Sequence, residues 1–168
     1  MYIFKKIIFL ILLILPFNVY SQSKISYVDL DFVLTNINAG KIVFEKLEKN
    51  EKLKKKKFSD EENKLKDEEN KILASRNIIS QDQLDINIEE FQNKLKNYRN
   101  YKSEELKKLN KIRNDEIVKL LNLINPIIQD YMKSNSINFL MDKKNIYIAD
   151  KNYDITNKLI EIINKKIK

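Results

Sequence analysis

The side chains that could do chemistry in this 168-residue chain are lysines and carboxylates. There is no histidine and no cysteine, so the usual nucleophile–base pairs and most zinc sites lack their components. A single glycine cannot make a glycine-rich phosphate loop. Glu61, Glu62, Glu68 and Glu69 stand beside lysines, which is typical of a solvated helix surface. We therefore predict a binding protein, without enzymatic activity and without a cofactor.

The densest charged feature is the run Lys54, Lys55, Lys56 and Lys57. The chain carries a formal net charge of +8, and a basic run can attract acidic polypeptides or lipid head groups. The simpler interpretation is a solvated helix surface, enlarged by a general abundance of lysine. Both interpretations remain open at this point.

Residues 1–21 have the layout of a secretory signal peptide. Lys5 and Lys6 precede an apolar run, 7–15, and we expect cleavage near Ser21. An uncleaved membrane anchor is the alternative, but the apolar run is shorter than the ~20 residues that span a bilayer. Export argues against nucleic acid as a partner.

The middle of the chain, between Gly40 and Pro126, contains neither glycine nor proline. These two residues are the strongest helix breakers, so the segment predicts long helices. An apolar seam at Phe58, Leu65 and Ile72 repeats every seven residues. We predict an antiparallel helical hairpin arm over 41–134.

The tip of the arm is expected near residues 75–80. Ser80 followed by Gln83 resembles a capping box that starts the second helix. A second seam continues from there, with spacings of four and three, through Leu84, Ile88, Phe91, Leu95 and Tyr98. A sustained seam is not typical of a disordered charged tract.

The two ends, residues 22–40 and 135–168, are predicted to form one small body. Asp29 should cap a helix over 30–36 with Phe32, Val33 and Leu34 inward. Gly40 is expected at a corner with a positive φ, and Asp154 should cap the last helix. The expected strands lie at 24–30, 137–142 and 146–149, the last two forming a hairpin. The predicted fold class is α+β, mainly α.

Two blocks of sequence resemble the Skp (OmpH) family of periplasmic chaperones. The first block is Tyr27-Val28-Asp29-Leu30, Val33-Leu34, Ala39-Gly40-Lys41 and Leu47-Glu48. The second block is Asn125-Pro126-Ile127, Ile137-Asn138-Phe139-Leu140-Met141-Asp142, Ala149-Asp150 and Asp154-Ile155-Thr156. The order and distances are similar to the family pattern, with a charged helical insert between the blocks. Ser136 departs from it, because relatives often have glycine there.

This resemblance implies a homotrimer in the periplasm that holds unfolded outer-membrane proteins without ATP. It implies a body of small sheets that joins three subunits, with the arms enclosing a cavity. The expected oligomer core is Ile25, Tyr27, Val28, Phe139, Met141 and Ile148. The expected client-binding residues are Lys54, Lys55, Lys56, Lys57, Phe58, Leu65, Ile78, Ile79 and Leu84.

Two other functions remain compatible with the sequence. One is a structural or adaptor coiled coil of the cell envelope with a single fixed partner. The other is a surface-associated protein that binds lipopolysaccharide or another anionic lipid through its lysines.

Overall fold

A computed structural model describes residues 23–167 of the chain. The predicted signal peptide, residues 1–21, lies outside the described residues. The helices are α1 (Leu30–Asn36), α2 (Asn38–Ser75), α3 (Gln81–Ser134) and α4 (Thr156–Lys166), and the strands are β1 (Lys24–Val28) and β2 (Ile137–Asp142). Within this part of the chain, no helix combines the length and apolarity needed to cross a membrane.

The two strands pair in parallel, although the whole arm separates them in sequence. Ile25 lies opposite Phe139 and Tyr27 lies opposite Met141, so these four side chains share one face of the sheet. The other face carries Val28 and packs on the helices of the body. The strand pair therefore joins the two ends of the chain.

The predicted hairpin after β2 is wrong. Residues 143–145 form a short 3₁₀ turn, and 146–149 make no strand. The chain instead passes to the free edge of β1, where the Ile155 N–H donates to the Tyr27 carbonyl at 3.0 Å. The free edge of β1 is therefore bonded by residues 154–155, and residues 146–149 lie outside the sheet.

The core of the body is built from both ends of the chain and from the root of the arm. Its fully buried side chains are Val33, Ile37, Ile124, Leu159 and Ile163. Each of the four helices contributes directly or through packed neighbours such as Val43 and Phe44. The arm is consequently anchored in the body at both of its ends.

Helix α1 begins at the cap residue Asp29, whose carboxylate accepts a hydrogen bond from the Phe32 N–H at 3.0 Å. Val33 and Leu34 are buried, whereas Phe32 is 47% exposed, so the prediction that Phe32 points inward is wrong. Three consecutive helix positions cannot share one face at 100° per residue.

The start of α4 is tied to the start of α1. The Asp154 carboxylate accepts from the Thr156 N–H at 2.9 Å. The Thr156 hydroxyl in turn accepts from the Asp29 N–H, also at 2.9 Å. The N-cap position itself belongs to Ile155, which makes no side-chain cap bond.

The two long helices are connected by a turn at 76–80. Ser80 accepts from the Gln83 N–H at 3.4 Å and caps α3, as the capping pattern predicts. Helix α3 continues through Pro126 and ends at Ser134. Proline lacks the N–H that would bond one turn back, so one ladder hydrogen bond is missing there.

Gly40 does not occupy a corner with positive φ, and that prediction is wrong. It lies in the first turn of α2, and no glycine has a positive φ in the described chain. A Cβ at this position would come within 1.7 Å of the Leu34 carbonyl oxygen. Glycine is required because α1 and α2 approach closely, not because of its backbone conformation.

The left-handed conformation occurs instead at Ser136, with φ of 54°. This residue connects the end of α3 to β2. Such a conformation costs a non-glycine residue roughly 1–2 kcal/mol. Glycine would adopt this conformation without that cost, and glycine is the residue that the Skp (OmpH) pattern often has at this position.

We predict that Gly40→Ala lowers the free energy of unfolding by about 1–3 kcal/mol, the usual range for overpacking. The gain in helix propensity, about 1 kcal/mol, is too small to offset a clash with backbone. Urea unfolding followed by circular dichroism measures the change. Asn70→Ala, at an exposed position of the same helix, is the control and should be neutral or slightly stabilising. Equal stability of both variants would contradict the close-approach role.

Candidate functional site

The apolar seam of the arm is buried between its two helices. Phe58, Leu65 and Leu84 are at most 9% exposed. They hold α2 against α3 and are not free to receive a client, so their predicted role in client binding is corrected to a structural one. Periodicity placed them on an apolar face, but it could not show that the partner helix covers this face.

Ion pairs run between the helices beside the seam. Lys54 pairs with Glu105, and Glu51 pairs with Arg113. As the residue number of the partner on α2 increases, that of the partner on α3 decreases, as in the pair of Glu68 with Lys94 at 2.5 Å. This order shows that the helices are antiparallel. The more exposed of these pairs, such as Glu68 with Lys94, contribute little each, about 0–1 kcal/mol.

Glu105 pairs with two lysines, Lys54 on α2 and Lys108 on its own helix. Hydrogen bonds from Lys54 and then Lys108 lower the pKa of Glu105 to about 2. A lowered carboxyl pKa means that this stabilisation is present above the ordinary pKa and is lost as pH falls toward 2. On the acid side, the helix–helix contact at this position is therefore weakened only as the pH approaches 2.

Tyr98 joins both helices in the middle of the arm. Its hydroxyl donates to the Glu62 carboxylate at 2.8 Å, and the Phe58 carbonyl oxygen lies 3.2 Å away as an alternative acceptor. Desolvation, followed by the hydrogen bond to Glu62, raises the pKa of Tyr98 to about 12. The Lys102 ammonium lies 5.6 Å from the ring centre of Phe58, within the range of a cation–π contact.

The basic run is divided by the structure. Lys54 faces α3 and is occupied by Glu105. Lys55, Lys56 and Lys57 are exposed, and among residues 23–167 they form no ion pair. Within the run 54–57, these three are the lysines free to meet an anionic partner.

At the tip, the two predicted isoleucines differ. Ile78 is 83% exposed, whereas Ile79 is half-buried. Exposed apolar side chains also occur along both arm helices, away from the seam. They include Leu53, Leu73, Ile86, Leu106, Ile112 and Val118. Sequence periodicity did not single out these positions, because they fall outside the apolar seam.

The sheet of the body has one uncovered apolar face. Ile25, Phe139 and Met141 are 48%, 59% and 43% exposed on it. Tyr27 and Val28 are buried within the chain. Val28 belongs to the core of its own body, so its predicted place in an oligomer core is corrected to an intrachain one. Large exposed apolar faces commonly mark an interaction surface.

A groove of about 680 Å³ opens beside this face. Strand β1 forms one wall, and segment 145–150 together with Tyr153 forms the other. Ile148 lines the groove and is 84% exposed. The groove exists because residues 146–149 do not pair with the sheet. The sequence pattern had predicted these residues to be a strand, and that prediction is wrong.

For Tyr98 we predict that the phenol titrates late. Because its pKa is raised to about 12, its contribution to stability is present below pH ~10 and is lost as pH rises toward 12. A spectrophotometric titration should show a late phenol in the wild type that is lost in Tyr98→Phe. The variant should also lose about 1 kcal/mol of stability. Tyr147→Phe, fully exposed, is the control; a late phenol that persists in Tyr98→Phe would refute the assignment.

Comparisons with known proteins agree with this geometry. A crystal structure from Caulobacter crescentus CB15, provisionally described as an OmpH-like outer membrane chaperone, has a TM-score of 0.71 and 18% identity. The alignment covers 92% of this chain and 93% of that chain, and it confirms the α+β, mainly α fold. No curated protein matches significantly. The family model described as outer membrane protein (OmpH-like) matches residues 24–163, and the chain therefore belongs to the OmpH-like family.

Proposed function

We propose that this protein is an ATP-independent holdase chaperone of the periplasm, which keeps unfolded outer-membrane β-barrel proteins from aggregating before insertion. The observation that carries the proposal is the distribution of exposed apolar side chains along the arm. Leu53, Leu106, Ile112 and Val118 are 44–53% exposed. Unfolded β-barrel chains expose many apolar segments, which such a surface can hold.

The arm suits weak and reversible contact. Its seam is thin, with apolar positions seven residues apart in α2, and ion pairs such as Glu68 with Lys94 and Glu62 with Lys102 are solvent-exposed. A surface of scattered small contacts binds through avidity, so no single strong site is needed. Release then requires no nucleotide hydrolysis, because each contact breaks on its own.

Family membership and the solved relative support the same role. The relative from Caulobacter crescentus CB15 is provisionally described as an outer membrane chaperone. The lack of histidine and cysteine also favours binding over catalysis. Periplasmic location, with cleavage near Ser21, is part of this proposal and rests on the sequence layout of residues 1–21.

A homotrimer is the assembly that we propose for the active protein. A two-stranded sheet is at best marginally stable alone, and the uncovered face with Ile25, Phe139 and Met141 would be covered by neighbouring subunits. Ile148, on the unpaired segment, would contribute beside it. Three arms would then stand on one body and surround a client.

The trimer can be tested by placing a charge on the uncovered face. Phe139→Asp should convert a sedimenting trimer into a monomer, because a buried unpaired carboxylate is costly. Its helix content should remain, because the side chain is 59% exposed in the single chain. Ile42→Asp, at a position 69% exposed on α2, is the matched control and should stay trimeric. A wild-type monomer at micromolar concentration would refute the assembly.

The chaperone function is tested by diluting a urea-unfolded β-barrel protein into buffer and following light scattering. Wild-type protein should suppress the scattering at stoichiometric amounts. Leu53→Gln with Leu106→Gln should require ~threefold more protein, equivalent to about 0.7 kcal/mol. The control pair is Phe32→Gln with Ile42→Gln, which removes exposed apolar side chains outside the arm's middle. No suppression by the wild type would refute the function.

A further inference from the structure

The tip of the arm contains an apolar groove of about 400 Å³ between α2 and α3. Leu73 forms one wall, and Ile88 with Phe91 forms the other. Leu73 is 61% exposed and Ile88 is 37% exposed. We call this the tip groove. Its apolar walls are accessible to a side chain from another molecule.

The charge around the tip groove is opposite to that of the whole chain. Residues 68–90 contain six carboxylates and two cations, Lys71 and Arg76. The protein has a formal net charge of +8, and the middle of the arm carries the run Lys54 to Lys57. The arm therefore has an acidic tip and a basic middle.

Several of these carboxylates lie next to the apolar walls. Glu69 lines the groove. Asp85 precedes Ile88 by three residues, and Glu89 precedes Gln92 by three, which places each beside a groove residue on the helix surface. Arg76 also lines the groove and opposes them. Glu68 is paired with Lys94 at 2.5 Å, so its charge is largely compensated.

We propose that the tip groove binds a segment of unfolded polypeptide in which cationic side chains alternate with apolar ones. The apolar side chains would enter between Leu73 and Ile88, while lysine or arginine meets the surrounding carboxylates. Charge complementarity selects this occupant, since an acidic segment or an anionic lipid surface would be repelled. The inference rests on the proposed chaperone function, because it specifies which client segments the tip receives.

The basic middle and the acidic tip give each arm two surfaces that would bind client segments of opposite charge. Lys55, Lys56 and Lys57 are exposed and would attract acidic client segments. The tip would attract basic apolar ones. A client with both kinds of segment would therefore lie along the arm in a preferred direction.

The experiment measures binding of a short fluorescent peptide that alternates lysine and leucine, with a glutamate–leucine peptide of equal length as its counterpart. The full mature chain should bind the lysine peptide more tightly. Glu69→Gln, Asp85→Asn and Glu89→Gln combined should weaken this binding about tenfold at low salt, and the difference should shrink as salt increases. Arg76→Gln should tighten it.

The control combines Glu104→Gln, Glu116→Gln and Asp130→Asn, which change the net charge equally away from the tip. It should bind the lysine peptide nearly as well as the wild type. Leu73→Gln with Ile88→Gln should weaken binding at low and high salt, because the apolar contact is not screened. Circular dichroism confirms that each variant keeps its helices.

Three peptide-binding results would overturn the proposal. They are equal or tighter binding of the glutamate peptide, equal loss in the control variant, and unchanged binding in Leu73→Gln with Ile88→Gln. A change in sedimentation on altering the tip carboxylates would also overturn it, by assigning the groove to a second copy of the chain. Peptide binding is read separately from aggregation, so a failed aggregation assay with the expected peptide pattern would count against the chaperone function alone.

Discussion

The parallel pairing of β1 with β2 is the constraint on which the rest of the structure depends. The pairing brings together two strands that are separated in sequence by the whole arm. Bringing the ends of such a long segment together has an entropic cost, which increases slowly with the length of the segment. The pairing alone could not offset that cost, because two strands are marginally stable. Ile37, Ile124, Leu159 and Ile163, all fully buried, supply the packing that does. Because the body holds both ends of the arm, the roots of α2 and α3 are fixed side by side.

Distance from this core explains why stability falls along the arm, which would suit the weak binding that we propose. Near the body, Leu120, Ile124 and Ile128 pack into the common core. Farther out, only isolated seam residues such as Phe58 and Leu65 are buried, with exposed ion pairs beside them. Local stability falls where buried apolar contact is sparse. The surface that remains outside the seam offers apolar side chains and charge to other polypeptides.

Local patterns predicted the elements well where the signal lies within a few residues. The extent of α1, the cap at Ser80 and the strand at 137–142 depend on neighbouring side chains, and the structure agrees with each. Predictions that depend on distant neighbours were less successful. Segment 146–149 has a strand pattern but does not join the sheet, because residues 154–155 bond to β1. Gly40 looked like a turn residue but is needed for the approach of Leu34.

The sequence by itself determined that the chain has no histidine and no cysteine, that its middle is helical and that its ends form one body. Composition and short-range periodicity are sufficient for this, because they depend on residue type and on spacing along a helix or strand. Only the tertiary structure decided that Phe58, Leu65 and Leu84 are covered, and that Lys54 is occupied while Lys55 to Lys57 are free. It also decided the parallel register and the tip groove. These features depend on which surfaces of distant segments meet, and that information is not contained in the spacing of residues along either segment.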